Sequence, residues 1–560
     1  MKFEHYLEKP YVYPIAEKTL KIRLKAKKGI AKKIYVLYKS IYNHDPENYL
    51  KKEMEILFQD QGYLYYEAEC LNDVPYFKYN FQIITEKENF YFNIDGISRE
   101  NNQKRYFFFP VINDYEIIKI PKGLPGAISY QVLIDRFASE GRTNFNELSE
   151  PEKLPDRKTY YGGNYQGLRK KIPYLQSLNV ELLYLSPLFK SPTYHKYDIE
   201  DYYELDEIYG SLTDLKELID ACRQAGIKVI FDGVFNHVSS ENKLFKDVIE
   251  KGENSKYKAW FYIDSFPIDK TIPNYDTFGN KLVPSMPRLN TNNDEVIKYF
   301  TDVALYWTKK LNIAGWRLDV YDEVSVKFWR EFRSKLKEYN EEIIIVGEIW
   351  EQSQRWLDGS QIDSFTNYRF RDLVLDLMSK KINVSKFWEL FKKHYLRYPS
   401  VYYNQFVNLL GSHDTTRLSS LFNLKQQQLA LVLMLMFPGS PLLYYGDELG
   451  LEGAEDPDNR RAMRWDYLNH KDRKQLYESI VRATSLRKEN KVLKEGAIII
   501  EHYGDQILAF TRKDETDLIT CVFNLGEERF VLPKGIKLLL GSNQEEIKNN
   551  EYAIFRREKK

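Results

Sequence analysis

Two textures of apolar and polar residues divide the chain. Up to about residue 122 the two kinds alternate: KTLKIRLKA sets basic against apolar positions, and YFKYNFQIITEKENFYFNI sets aromatic against polar ones. Successive side chains of a strand point to opposite faces, so such alternation predicts half-buried strands. Turn clusters such as LNDVP and NIDG separate them, and residues 1–122 read as an N-terminal β-sandwich domain. From about Gly123 short apolar runs take over, with amphipathic stretches such as LTDLKELIDACRQAG and EVIKYFTDVALYWTKKL between them. Eight of these runs are candidate buried strands: ISYQVLIDRF, VELLYLSPL, IKVIFDGVF, IAGWRLDV, EIIIVGEIW, QIDSFTNYRF, VNLLGSHD and SPLLYYGDELG. Parallel strands need helical crossovers, so the repeated alternation predicts an α/β fold, a (β/α)8 TIM barrel over residues 123–488. Residues 236–293, after the third strand, are too many for an ordinary loop and predict a small inserted domain. Short strands then return (GAIIIEHY, QILAFTRK, LITCVFNL), which predicts a C-terminal all-β domain over 489–560.

Composition narrows the class. The 82 basic and 81 acidic residues nearly cancel, so the chain has no basic face of the kind a nucleic-acid partner needs. Cys70, Cys222 and Cys521 are far apart and form no CxxC pair, which argues against a disulfide framework and a zinc site. The start, MKFEHYLEKPYVYP, lacks the apolar core of a signal peptide. The longest apolar stretch, Leu429 to Tyr445, is interrupted by Pro438-Gly439 and Pro441, and predicts a buried helix running into a buried strand. The expectation is a soluble, cytoplasmic protein with no membrane and no nucleic-acid partner. The 44 tyrosines and 8 tryptophans offer faces that could stack on sugars, although tyrosine also suits half-exposed strands.

In a barrel of this kind the chemistry sits where the strands end at their C-terminal mouth. The third strand ends in DGVFNH, the fourth carries GWRLDV, the fifth ends in GEIWE and the seventh in GSHDTTR. That gathers Asp232, Asp319, Glu348 and Asp414, with His237, His413 and Arg317, around one pocket. The set suits glycoside hydrolysis, in which a retaining site needs two carboxyl groups about 5–5.5 Å apart. Arg317, two residues before Asp319 on the same strand, shares its side and is expected to lower its pKa, as a nucleophile requires. Glu348, between a carboxylate-rich pocket and Ile349-Trp350, suits an acid that keeps its proton. The stretch YGGNYQG has neither the spacing nor the Gly-Lys-Ser/Thr of a phosphate loop.

DGVFNH, GWRLDV, GEIW and GSHD, in this order, resemble the signature regions of the α-amylase family of glycoside hydrolases, and MPRLN resembles the extra region of its neopullulanase, cyclomaltodextrinase and maltogenic amylase subgroup. SPTYHKYDIEDYYELDEIYG and DPDNRRAMRWD look like the same family. The resemblance implies Asp319 as nucleophile, Glu348 as acid/base and Asp414 as transition-state stabiliser, and it puts Asp232, His237, Arg317 and His413 around the reacting sugar. It implies Tyr197 as the aromatic platform beneath that sugar with His195 beside it, Asp456 and Arg460 on the next sugar, and Trp350 on the leaving-group side. Taken as single residues, Asp232 and Asp198 read as shaping the site rather than reacting. Calcium is not expected: in many relatives an Asn/Asp-rich loop and a GGD aspartate make the site, whereas here the loop reads ASEGRTNFNELSE and Asn164 replaces the aspartate. No other cofactor is implied. Other departures are Arg288 in MPRLN, VYDE for VANE, and Thr416 in GSHDTTR. The implied activity is retaining hydrolysis of α-1,4 and α-1,6 bonds in cyclodextrins, maltooligosaccharides, pullulan or starch, with some transglycosylation, by a homodimer built through the N-terminal domain. A glucosyltransferase or a sucrose/trehalose-type isomerase would share the same trio. A non-catalytic binding subunit is expected to lose catalytic carboxylates, and this chain keeps all three.

Overall fold

A computed structural model of the chain describes residues 2–60, 62–101, 104–141, 148–542 and 545–557. These fall into two compact units. The first joins residues 1–119 to two short segments from later in the chain, 354–360 and 388–403. It holds two antiparallel sheets, one of five strands and one of six. The alternation seen in the sequence sets their faces. Leu20, Ile22, Leu24 and Ala26 of Thr19–Lys27 meet Ile34, Val36, Phe77, Tyr79 and Phe81 of the other sheet in one core. Arg23, at an intervening position, points the other way and is buried nonetheless. It pairs with Glu67 at 3.0 Å and donates to the carbonyls of Leu396 (2.9 Å) and Tyr398 (3.1 Å), which ties segment 388–403 to the sandwich.

The second unit contains a closed barrel of eight strands: β1 Ser129–Val132, β2 Leu182–Leu185, β3 Lys228–Gly233, β4 Gly315–Leu318, β5 Ile344–Gly347, β6 Ser364–Asn367, β7 Val407–Leu409 and β8 Ser440–Tyr444. Each of the eight expected runs carries one of them. All neighbours are parallel, and β1 pairs with β8 to close the ring. Inward-facing Leu182, Tyr184, Ile230, Ile344, Val346, Val407 and Leu442 fill the interior, so the barrel is a packed core and its working surface is the mouth. Crossover helices form where sequence starts them well. Helix α1, Leu212–Gln224, opens on a Ser211–Asp214 capping box, and α2, Asp294–Leu311, opens on the Asn293 carboxamide. Helix α3, Leu424–Met436, is apolar on nearly every face because it is covered on nearly every face. Its last carbonyls are capped by two buried guanidinium groups, Arg512 to Met436 at 3.1 Å and Arg487 to Phe437 at 3.1 Å.

After β3 the chain leaves the barrel, forms a helix at Lys243–Lys251, and returns through antiparallel bridges that include His237 with Arg288 and Thr277 with Pro287. The C-terminal segment forms a five-stranded sheet from Ala497–His502 to Glu551–Arg556, with a two-stranded ribbon beside it. The three cysteines are unpaired and buried. Among the described residues no helix is long and apolar enough to cross a membrane.

Candidate active site

Strand register decides which side chains meet at the mouth. Asp232 of β3 lies beside Arg317 of β4, and Leu318 lies beside Gly347 of β5. The residues just past the strands therefore stand level: Asp319 N–H donates to Gly233 O (3.0 Å), and Glu348 N–H to Leu318 O (2.9 Å). Gly347 is required there, because a Cβ would come within 2.9 Å of the Tyr321 ring. Arg317 joins the three acids. One terminal nitrogen reaches Asp232 Oδ1 (2.8 Å) and Asp319 Oδ1 (2.9 Å), and the other reaches Glu348 Oε1 (2.6 Å). The two carboxyls are thus separated by no more than one guanidinium and its bonds. Val320, next to Asp319, takes a left-handed backbone (φ 44°) that is costly for a β-branched residue, and its N–H donates to Glu348 Oε2 at 3.1 Å. Both oxygens of Glu348 are therefore engaged.

The far wall comes from β7, β8 and the loop after β2. Tyr197 stacks on His413 with parallel rings 5.2 Å apart, and its hydroxyl donates to Asp232 Oδ2 (2.9 Å). Tyr184 donates to the same oxygen at 2.5 Å. The Gln131 carboxamide nitrogen lies 2.7 Å from His413 Nδ1, and His413 Nε2 lies 2.6 Å from the Tyr197 hydroxyl and 3.0 Å from Asp414 Oδ2. Arg460 spends its guanidinium inside the protein, on His413 O (2.8 Å), Tyr194 Oη (3.0 Å), Asp456 Oδ1 (3.0 Å) and Asp414 Oδ1 (3.2 Å). His237 donates from Nε2 to Tyr197 O (3.1 Å), and its Nδ1 has no hydrogen-bond partner among the described residues. Trp350 is half exposed and lies flat on Tyr368, ring centres 3.7 Å apart.

These residues surround a cavity of about 690 Å³. Of the residues singled out in the sequence, Asp319, Glu348, Asp414, Tyr197, His195, His237, Trp350, His413, Asp456 and Arg460 line it. Asp232 and Arg317 lie beneath its floor, almost without exposure, where they orient the lining residues.

The chain matches the model described as alpha amylase, catalytic domain, over residues 131–496, and that of the alpha amylase N-terminal Ig-like domain over 2–113. The chain belongs to the α-amylase family. It is similar to a cyclomaltodextrinase of Thermoanaerobacter pseudethanolicus, 37% identical with 94% of this chain and 93% of that protein covered. It is equally similar to neopullulanase 2 of Thermoactinomyces vulgaris, 37% identical over 94% and 92% of the two chains. Among solved structures, a cyclomaltodextrinase superposes with a TM-score of 0.88 at 32% identity, covering 99% of each chain. The chain is a glycoside hydrolase of the subgroup that these relatives represent.

In this α-amylase family site the charges do not follow the simplest expectation. Arg317 alone would hold Asp319 low, but burial and then the Glu348 charge outweigh it, and Asp319 is pushed well above the usual carboxylate range. Glu348 is raised as well, by burial first and by Asp414, against the pull of Arg317. Burial thus pushes both carboxyls toward the protonated form. Asp414 is the reverse: burial would raise it, yet His413, Arg460 and Arg317 hold it well below its ordinary value. Burial lowers His195 to about 3 and His237 to about 4, so both are neutral donors or acceptors at working pH.

Some residues of the site escaped the sequence reading. Gln131 and Tyr184 sit inside apolar strands, and a polar residue at an inward position of such a strand is the signal that could have marked them. Phe278 and Met286 reach the cavity from the excursion after β3. Arg288 faces away from the cavity, paired with Asp276 at 3.2 Å and donating to Glu323 O. In the loop expected to have lost calcium, residues 142–147 lie outside the described residues. Asn164 is described, and its carboxamide is fully used: Oδ1 accepts from Gly167 N–H (2.7 Å), and Nδ2 donates to Glu140 O (2.9 Å).

Proposed function

We propose that this chain cleaves α-glucosidic bonds by double displacement, with Asp319 as nucleophile and Glu348 as acid/base. Asp319 attacks the anomeric carbon while the bond to the leaving oxygen breaks and Glu348 gives that oxygen its proton. The Glu348 carboxylate then takes a proton from water, which displaces Asp319 and leaves the product in the α configuration. Asp414 and His413 hold hydroxyls of the reacting ring, with Tyr197 beneath it, and Arg317 and Asp232 keep the acids in place. His237 and His195 contact the same sugar, Asp456 and Arg460 border the next one, and Trp350 borders the leaving side. The observation that carries the reading is Arg317, one guanidinium bonded to both Asp319 and Glu348 at the ends of adjacent strands.

The substrates are cyclodextrins, maltooligosaccharides, pullulan and starch, with α-1,4 and some α-1,6 cleavage and partial transfer to sugar acceptors. The names cyclomaltodextrinase and neopullulanase carried by its relatives support this range. The enzyme works in the cytoplasm, a reading supported by its three unpaired, buried cysteines. It works without a cofactor, and Asn164 does with its carboxamide the loop-closing that a cation could do. It pairs into a homodimer through its N-terminal domain, whose exposed Tyr42, Leu71, Phe108 and Tyr115 supply apolar surface for a partner. Proton NMR of the first product from maltotriose tests the mechanism. Fresh α-anomer is the expected signal, and initial β-anomer excludes it.

A further inference from the structure

Behind Asp414 lies a residue that neither the sequence reading nor the mechanism has used. Asn459 is fully buried in the short turn Asp458–Arg460. Its side-chain nitrogen donates to His413 O at 2.7 Å and to Thr415 O at 3.1 Å, the carbonyls on either side of Asp414. A primary amide has two N–H groups on one nitrogen, so it can hold two carbonyls at once, which a hydroxyl or thiol cannot. Its own backbone is fixed in turn. The Asn459 carbonyl accepts from Arg417 Nε (2.8 Å) and Tyr444 Oη (3.2 Å), and Arg417 is anchored to Asp447 Oδ1 (3.0 Å) and the Tyr445 carbonyl (2.8 Å).

The other end of that amide has a cost. Asn459 Oδ1 is buried with no hydrogen-bond partner among the described residues, and an unmet buried acceptor is destabilising. An apolar residue here would remove that cost, but it would take this donor from the Thr415 carbonyl and leave the His413 carbonyl to Arg460 Nε in place of two donors. Asp414 depends on them. Its carboxylate opens onto the cavity with about a third (32%) of the side chain accessible, and is paired with His413 and Arg460. Where its backbone sits decides where its oxygens meet a sugar.

We propose that Asn459 is a positioning residue for Asp414, a carboxamide clamp that fixes the peptide units on both sides of it. This rests on the reading that Asp414 stabilises the transition state. A catalytic group displaced by about 1 Å loses roughly 10²-fold in rate, so the clamp acts on kcat more than on substrate affinity.

The test is a double-mutant cycle on maltotriose and an activated aryl maltoside. Asn459→Ala is expected to lower kcat by roughly 10²-fold while KM moves less than about threefold. In an Asp414→Asn background the same substitution should cost almost nothing, because the group it positions has already lost its charge. Asn459→Ser, which keeps one donor, should fall between and guard against a folding defect, with thermal midpoints measured for all variants. Equal losses in both backgrounds, a change confined to KM, or losses that follow the folded fraction would each overturn the proposal. Wild-type turnover by Asp414→Asn alone would instead strike at the reading of the site.

Discussion

Around the reacting centre, four carboxyls (Asp232, Asp319, Glu348 and Asp414) face two guanidinium groups, Arg317 and Arg460. Acids outnumber cations in a buried site, so retaining a proton costs less than ionising every group. This gives the directions found: Asp319 and Glu348 upward, Asp414 downward. The identities of these residues were legible in the sequence, because acids at strand ends in a barrel converge. The direction for Asp319 was not legible, since it depends on depth and on the Glu348 charge, which only the folded register supplies. The pH dependence follows with a definite sign. Activity needs one carboxyl ionised and the other protonated, and burial shifts the titration of both upward, which moves the limbs of kcat/KM in the same direction. Asp414→Asn removes a negative charge that favours the Glu348 proton. Its rate should fall by roughly 10²–10³-fold, and its alkaline limb should move to lower pH. An alkaline limb that stayed put or rose would contradict this electrostatic account.

Between residue and fold, short elements aim the side chains. The eight strands were readable because parallel strands buried on both faces appear as continuous apolar runs. What lies between them was less so. The loop after β2 carries Lys196 with a left-handed backbone (φ 63°), wholly buried and paired with Asp206 at 2.6 Å. A lysine in YHKYD would ordinarily be read as solvated, and nothing local marks it as an anchor. Its position fixes its two neighbours, His195 and Tyr197, and Asp198 is tied down by the Ser191 hydroxyl at 2.7 Å. Removing one partner of a buried ion pair costs about 3–5 kcal/mol. Lys196→Met should therefore lower the thermal midpoint and reduce kcat/KM together, as the Tyr197 platform loses its footing. A variant with an unchanged midpoint and full activity would refute that role for the loop.

At the scale of the whole chain, two compact units carry different tasks. The barrel with its excursion and C-terminal sheet holds every residue of the proposed mechanism, and the N-terminal sandwich holds none. The alternation of the first 122 residues made the sandwich legible. It could not reveal that segments 354–360 and 388–403 belong to the same unit, because pairing across hundreds of residues leaves no local pattern. The proposed dimer is checked by light scattering at micromolar concentration. Twice the 66.7 kDa chain mass is expected, and monomer alone would remove the sandwich from any role in assembly. The central claim is that Asp319 attacks while Glu348 handles the proton. It is tested most directly by peptide mass spectrometry of Glu348→Gln quenched during turnover of an α-maltosyl fluoride, which needs no acid to leave. The account predicts a maltosyl adduct on Asp319, and an adduct on Asp232 or Asp414, or fluoride release with no adduct, would contradict it.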